Sequence, residues 1–192
     1  GVIGRTMIMS LTTAMPKLEE IRLFDLNKER AGELANEFEQ QIKVVVVDNV
    51  EQAFKDADIV TTQTTARQPF VEDAWIPKGS YYAHMAAYEG KDEVFINTDR
   101  LVVDNWATLK TWDFFAPTKL QKEGKLKEEA ITDIGKILLG EAPGRQTEAE
   151  RILFANLGMG CLDITMAERI YQSAKAKGLG QKISLWEKPL WI

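Results

Sequence analysis

The segment Ile21-Arg22-Leu23-Phe24-Asp25 is a short apolar run that predicts a β-strand ending in an acid. A helical pattern follows over residues 28–40, and Asn27 in front of it is a typical helix N-cap. The valine run Val44–Val47 predicts a second strand, and its continuous apolar character is typical of a strand buried on both faces of a parallel sheet. A strand, a helix and a strand in this order predict a right-handed crossover between parallel strands.

The same alternation continues as far as residue 104. Asn49, followed three residues later by Gln52, resembles a capping box that opens another helix. Further strands are predicted at Asp58–Thr62, Ser80–Met85 and Leu101–Asp104. Strands that alternate with helices form a parallel sheet with helices on both faces. We therefore predict an α/β fold with a doubly wound parallel sheet.

The first residues fit this pattern as the end of a strand and the start of a helix. We predict that Gly1–Gly4 ends the first strand and that Arg5–Ala14 forms the first helix, since Pro16 follows it. Two glycines at such a turn are typical of the loop that approaches the pyrophosphate of a dinucleotide, whose full motif is G-x-G-x-x-G. Only part of that motif is present, and an ordinary tight turn is the alternative. Because the chain starts inside an apolar run without Met, we expect further residues before Gly1.

The pattern changes after residue 104. Ile131–Leu139 is apolar at helical spacing, and Leu162–Ala176 predicts a long helix that Gly178 and Gly180 close. The tail carries Trp186, Pro189 and Trp191, and we interpret it as a packing or dimer element. We predict a dinucleotide-binding domain at residues 1–145 and a C-terminal helical segment with this tail at residues 146–192.

The composition excludes several classes of protein. The chain has 192 residues, of which 45% are hydrophobic and 28% charged, which is ordinary for a globular protein. The net charge of -5, without a basic cluster, argues against nucleic-acid binding, and no apolar run is long enough for a membrane span. The single cysteine, Cys161, fits a reducing compartment, so we expect a cytoplasmic protein. No metal-ligand spacing is visible, and we predict no metal site.

Asp25 is the first candidate functional residue. It ends a predicted strand after the glycines, where an acid accepts hydrogen bonds from the ribose hydroxyls of the adenosine half of NAD. Arg30 lies nearby and could weaken the preference for NAD over NADP. An ordinary aspartate at a strand end or helix cap is the alternative.

Polar side chains also follow two later strands. Thr62, Thr64 and Thr65 come at the end of one strand, where ligands bind in parallel sheets, although threonines also favour strands for their own sake. His84 ends the next strand and could carry a proton, with a structural role as the alternative. Glu89 could be a general base if burial tunes it.

Taken together, several segments resemble the ornithine cyclodeaminase and mu-crystallin family. They are Gly1–Gly4, Leu23–Ala31, Ala57–Thr65, Trp75–Gly79, Ile134–Arg145 and Phe154–Asp163. The resemblance implies a Rossmann-type NAD(P)-binding domain, with NAD as cofactor and NADP possible. It implies hydride transfer at an amino-acid Cα–N bond, an amino-acid or imine substrate and a homodimer. The type reaction converts ornithine to proline and ammonia.

The resemblance also implies site residues and departures from the family pattern. The candidate catalytic residues are Glu89 and His84, and the candidate cofactor-binding residues are Gly1, Gly4, Asp25, Asn27, Thr62, Thr64, Thr65 and Asn156. The family's glycine loop is expected between Gly4 and Arg5, and its catalytic aspartate falls at Tyr88. The family's substrate domain, which lies largely before the Rossmann domain, is not in this chain, and the C-terminal segment would pack on it.

These departures leave three functions open besides ornithine cyclisation. The first is a ketimine reductase or an amino-acid dehydrogenase. The second, from a different class, is a mu-crystallin-like protein that binds NAD(P)H and a small ligand. The third is an inactive scaffold that dimerises through its tail.

Overall fold

The computed structural model describes residues 1–184, 186 and 187. The chain divides into two compact units, Gly1–Leu157 and a second unit that begins at Gly158. The last strand of the sheet, formed by residues 152–155, belongs to the first unit. The predicted tail residues Pro189 and Trp191 lie outside the described residues, and Trp186 is exposed.

The first unit alternates strands with helices, as predicted. The strands are β1 (Glu20–Leu23), β2 (Lys43–Val46), β3 (Ile59–Thr62), β4 (Tyr81–His84), β5 (Arg100–Val103), β6 (Ile131–Asp133) and β7 (Ile152–Ala155). Its helices are α1 (Val2–Ala14), α2 (Lys28–Phe38), α3 (Val50–Phe54), α4 (Asp92–Ile96), α5 (Trp106–Leu109), α6 (Ala116–Lys122) and α7 (Ile134–Leu138), and 3₁₀ turns lie at Asp73–Trp75 and Glu128–Ala130. In the second unit, α8 (Gly160–Ala176) confirms the predicted long helix, which ends before Gly178 with its positive φ of 65°.

All strand pairs are parallel, which confirms the predicted fold class. One sheet contains β1 and β2, and the other has the order β3-β4-β7-β5-β6. The last strand in sequence, β7, therefore lies in the centre of the larger sheet. Leu153 on β7 is buried with Leu101 and Val103 on β5, and the core continues through Tyr82 and Phe95.

Local capping explains why two of the helices begin where the sequence predicts. The Asn27 side chain accepts a hydrogen bond from the Arg30 backbone N–H at 3.0 Å, which caps α2. The Asn49 side chain accepts one from the Gln52 backbone N–H, and the Gln52 side chain accepts one from the backbone N–H of Asp48. Both caps are confirmed.

The structure differs from the sequence predictions at four places. Residues 2–4 are the first turn of α1, not the end of a strand. The valine run is half exposed in β2 rather than buried on both faces, and β2 pairs with β1 in a two-stranded sheet. Strand β7 was not predicted at all, since four apolar residues between polar segments are ambiguous on pattern alone. The apolar segment at 131–139 begins as strand β6 before it becomes α7.

Candidate functional site

The carboxyl ends of four neighbouring strands meet at one edge of the larger sheet. Thr62 pairs with His84, and Ala155 pairs with both His84 and Val103, so these last strand residues form one row. Backbone bonds from Met85 N–H to the Thr62 carbonyl and from Asn156 N–H to the His84 carbonyl extend the ladder by one residue. Since side chains alternate along a strand, the next row of side chains lies on the opposite face of the sheet.

On the first face, Glu89 is the centre of a buried polar cluster. The residue has 0% exposure. Its Oε2 accepts a hydrogen bond from Thr62 Oγ1 at 2.5 Å, and its Oε1 accepts one from the Thr64 backbone N–H at 2.6 Å. The structure therefore brings the predicted site residue Glu89 to two others, Thr62 and Thr64, that lie 27 and 25 residues before it.

His84 lies beside this cluster in an apolar environment. Its ring makes edge-on contacts with Tyr82 and Phe95, at centroid distances of 5.9 and 5.2 Å. Burial lowers the pKa of His84 to about 4, so the imidazole is neutral at pH 7. Its Nε2 accepts a hydrogen bond from Gly90 N–H at 3.1 Å, which places the ring proton on Nδ1. Burial also raises the pKa of Tyr82, so its phenol stays protonated.

The predicted catalytic roles of Glu89 and His84 stay predictions. Both side chains are buried and both have protein partners at the edge of the sheet. Tyr88, where the resemblance places the family's catalytic aspartate, is 43% exposed.

On the opposite face, the next row contains Gln63, Met85 and Asn156. The Gln63 side-chain Nε2 lies 3.8 Å from Met85 Sδ. The Asn156 side-chain Oδ1 is buried and has no hydrogen-bond partner in the described part of the chain. An acceptor of this kind at a ligand-binding edge indicates a missing donor. Asn156 is a predicted site residue, whereas Gln63 and Met85 are not. Their signal was their position, since Gln63 directly follows the predicted strand Asp58–Thr62 and Met85 is the last residue of the predicted strand Ser80–Met85.

Helix α1 approaches this second face. A methyl group added at Gly4 would lie 3.7 Å from Oε1 of Gln63, so the first turn of α1 lies against the end of β3. Gly1 is the N-cap of α1, and Arg5 follows Gly4 without a break in the helix, so the loop expected between them is not there. Gly1 and Gly4 instead have the spacing and the helix position of the last two glycines of G-x-G-x-x-G.

Asp25 lies at the end of β1, in the smaller sheet. Its Oδ1 accepts a hydrogen bond from the Asn27 backbone N–H at 2.8 Å, which holds the turn into α2. The carboxylate is half-buried at the carboxyl end of its strand, where an acid fits the ribose hydroxyls of a dinucleotide. Thr64 and Thr65 are exposed beyond β3. The structure thus places the predicted residues on two sheets of the first unit.

The described residues give little support to a metal site, a disulfide or a membrane span. They contain no group of three or more His, Cys, Asp or Glu side chains that could hold a metal ion. Cys161 is exposed on α8 without a disulfide. Within residues 1–184, 186 and 187, no helix is both long and apolar enough to span a bilayer.

A parallel sheet with helices between its strands and polar side chains at their carboxyl ends defines a Rossmann-type dinucleotide-binding fold. Comparison with known families adds a more specific assignment. A model of the ornithine cyclodeaminase/mu-crystallin family matches residues 1–178, so the chain belongs to this family. The predicted family is confirmed.

Individual relatives are about a quarter to three tenths identical to the chain. N-((2S)-2-amino-2-carboxyethyl)-L-glutamate dehydrogenase of Staphylococcus aureus is 29% identical over 190 residues, which are 97% of this chain and 56% of the relative. Delta(1)-pyrroline-2-carboxylate reductase of Bacillus thuringiensis subsp. konkukian is 27% identical over 180 residues, 88% of this chain and 54% of the relative. The chain spans about half the length of the curated relatives it matches.

One solved structure is similar over nearly the whole chain. It is Thermococcus litoralis Delta(1)-pyrroline-2-carboxylate reductase in complex with NADH and L-proline. The TM-score is 0.85 at 26% identity, and the match covers 95% of this chain and 58% of that chain.

Proposed function

We propose that this chain is the NAD(H)-binding part of an oxidoreductase that transfers hydride at the Cα–N bond of an amino acid. The observation that carries the proposal is the carboxyl edge of the sheet, where the buried and unpartnered Asn156 Oδ1 lies next to the strand-end row. Open parallel sheets bind dinucleotides at this edge. Bound NAD would supply a hydride acceptor, and NADH a hydride donor, for the Cα of the substrate.

The residues present fit the parts of a dinucleotide. Asp25, held by the Asn27 N–H, would accept hydrogen bonds from the adenosine ribose. The N-terminus of α1 at Gly1 would face the pyrophosphate, and Gly4 lets the helix lie close to β3. Asn156 Oδ1 would accept a hydrogen bond from a polar group at the nicotinamide end. Thr62, Thr64 and Thr65 would border the cofactor, with NADP possible in place of NAD.

The compounds named for two relatives indicate a class of substrate for this chain. L-proline and N-((2S)-2-amino-2-carboxyethyl)-L-glutamate are both α-amino acids whose nitrogen is a secondary amine. We propose the same class here, either oxidised to an imine with release of a proton and reduction of NAD, or formed by the reverse reaction. Ornithine cyclisation is the less supported alternative, because Tyr88 stands where the family's catalytic aspartate falls. A homodimer and a cytoplasmic location stay predictions.

A binding protein without turnover is the second candidate function. The observation that favours it is the burial of both predicted proton carriers, His84 at 1% and Glu89 at 0% exposure. Incubation with NADH and Delta(1)-pyrroline-2-carboxylate separates the two functions, because only an enzyme forms proline and consumes NADH.

Titration with NADH tests the cofactor proposal directly. We expect Asp25→Ala to weaken NADH binding at least about tenfold, the equivalent of about 1.4 kcal/mol. Asp25→Asn keeps an acceptor for the Asn27 N–H, so it separates the ribose contact from the turn. Glu33→Ala, which removes an exposed acid from α2, is the matched control and should bind NADH like the parent protein. An unchanged dissociation constant for Asp25→Ala would remove Asp25 from the site.

A further inference from the structure

The cluster around Glu89 has a defined direction of hydrogen bonding. A carboxylate only accepts hydrogen bonds, so Thr62 must donate its single hydroxyl proton to Glu89. The Thr62 oxygen, 2.9 Å from the Tyr82 phenol, is then left to accept the Tyr82 proton. The chain of donors therefore runs from Tyr82 to Thr62 to Glu89.

The backbone around Glu89 is held equally firmly. Its carbonyl accepts hydrogen bonds from the N–H groups of Phe70 and Val71, both at 2.9 Å. The next residue, Gly90, donates to His84 and leaves no room for a side chain, since an added methyl group would lie 3.1 Å from Phe95 Cε2. Glu89 therefore has a fixed position from which its side chain reaches the end of β3.

Thr64 is one of the two residues near the end of β3 that the Glu89 side chain contacts. Its backbone N–H points inward to Glu89 Oε1, while the residue itself is exposed at the ligand-binding edge. Its hydroxyl accepts a hydrogen bond from the Ala66 N–H at 3.2 Å. Glu89, a buried residue that does not belong to the turn, therefore holds the conformation of the turn at residues 62–66.

We propose that Glu89 is a positioning residue, whose buried carboxylate holds the Thr62–Thr64 turn in the shape that receives the cofactor. The inference rests on the proposed function, since it gives that turn a ligand. Glu89 acts here through its two acceptor oxygens and not through proton transfer. A general base would need a carboxylate oxygen within reach of the substrate, whereas Glu89 has 0% exposure and its two oxygens face Thr62 and Thr64.

The role as an acceptor predicts that glutamine can replace Glu89. The amide oxygen would accept from Thr64 N–H, as Oε1 does now. The amide nitrogen would donate to Thr62, whose hydroxyl would rotate and donate to Tyr82, and the Tyr82 proton would then lose its present acceptor. The turn would then keep its shape without the negative charge. Alanine cannot hold the turn, because it removes the contacts both to the Thr62 hydroxyl and to the Thr64 N–H.

The experiment compares Glu89→Gln, Glu89→Ala and Thr62→Val in the protein. Each variant is measured for its NADH dissociation constant, for turnover with Delta(1)-pyrroline-2-carboxylate and for its melting temperature. We expect Glu89→Gln to keep NADH binding and turnover within about threefold of the parent. Glu89→Ala should weaken NADH binding at least about tenfold in the folded protein. If Glu89→Ala does not fold, Thr62→Val, which is close in shape, should still weaken NADH binding severalfold.

The outcomes separate the inference from the proposed function. Loss of turnover in Glu89→Gln with unchanged NADH binding would identify a proton-transfer role and overturn the inference. Lower melting temperatures with unchanged NADH binding in Glu89→Ala and Thr62→Val would show a merely structural role and also overturn it. A parent protein that does not bind NADH would refute the proposed function itself.

Discussion

The turn after β1 and the segment after β4 both place an acid near the carboxyl end of a parallel strand, but they hold it differently. Asp25 is half-buried and bonds to the backbone of Asn27, two residues away. Glu89 is fully buried and bonds to Thr62 and Thr64, which are 27 and 25 residues away. An acid with only local partners leaves its strand end open to a ligand, whereas an acid with distant partners joins separate segments. The difference predicts that substitutions after β4 cost far more stability than substitutions after β1.

The largest difference in stability is expected between two glycines. The Cβ added in Gly90→Val would lie 3.1 Å from Phe95 and 3.3 Å from Val94, which are both buried, so overpacking should lower the free energy of unfolding by about 3 kcal/mol. In the matched variant Gly32→Val, in α2, nothing lies within 4 Å of the new Cβ. We therefore expect the free energy of unfolding to change by only about a few tenths of a kcal/mol. Urea denaturation measures both variants. Equal losses would show that the segment after β4 is no more tightly packed than α2.

The second largest effect is a pH dependence that comes from His84, the only histidine in the sequence. Its pKa falls from about 6.5 in the unfolded chain to about 4 in the folded protein, so the unfolded state binds the proton first as the pH drops. The stability that neutral His84 provides at pH 7 is lost progressively between about pH 6.5 and pH 4. Going from pH 7 to pH 5 should cost about 2 kcal/mol.

His84→Gln is the control for this pH dependence. It keeps an acceptor for the Gly90 N–H but has no group that titrates in this range, so its unfolding free energy should change less between pH 7 and pH 5. Parallel denaturation curves at both pH values provide the comparison. The same pH dependence in both proteins would place its origin in other groups.

The smallest expected effect is a gain in stability from a substitution in α2, the helix that follows β1. Gly32 lies inside α2 with open space at its Cβ, so Gly32→Ala should raise the free energy of unfolding by about 0.5–1 kcal/mol through helix propensity. The melting temperature should rise, and NADH binding should not change. A lower melting temperature would mean that α2 packs more closely than the structure shows.

The two regions also differ in how far the sequence predicted them. The caps at Asn27 and Asn49 were predicted correctly, because each depends on residues three positions apart. The parallel arrangement followed from the alternation of strands and helices. The sequence does not predict the central strand β7 and predicts a strand at the first turn of α1, because short apolar runs fit either structure. At the site, the sequence identified Thr62, His84, Glu89 and Asn156 as polar residues near strand ends but not their contacts.

The sequence by itself determined the fold class, the local caps, the family and the strand ends that carry the candidate site. These features depend on periodicity and short-range hydrogen bonds, which a chain expresses within a few residues. Only the tertiary structure decided that Glu89 bonds to Thr62 and Thr64, that His84 is neutral, and that Gln63, Met85 and Asn156 share one row. Those features depend on strand order and burial, because residues far apart in the sequence meet only when β4 lies between β3 and β7.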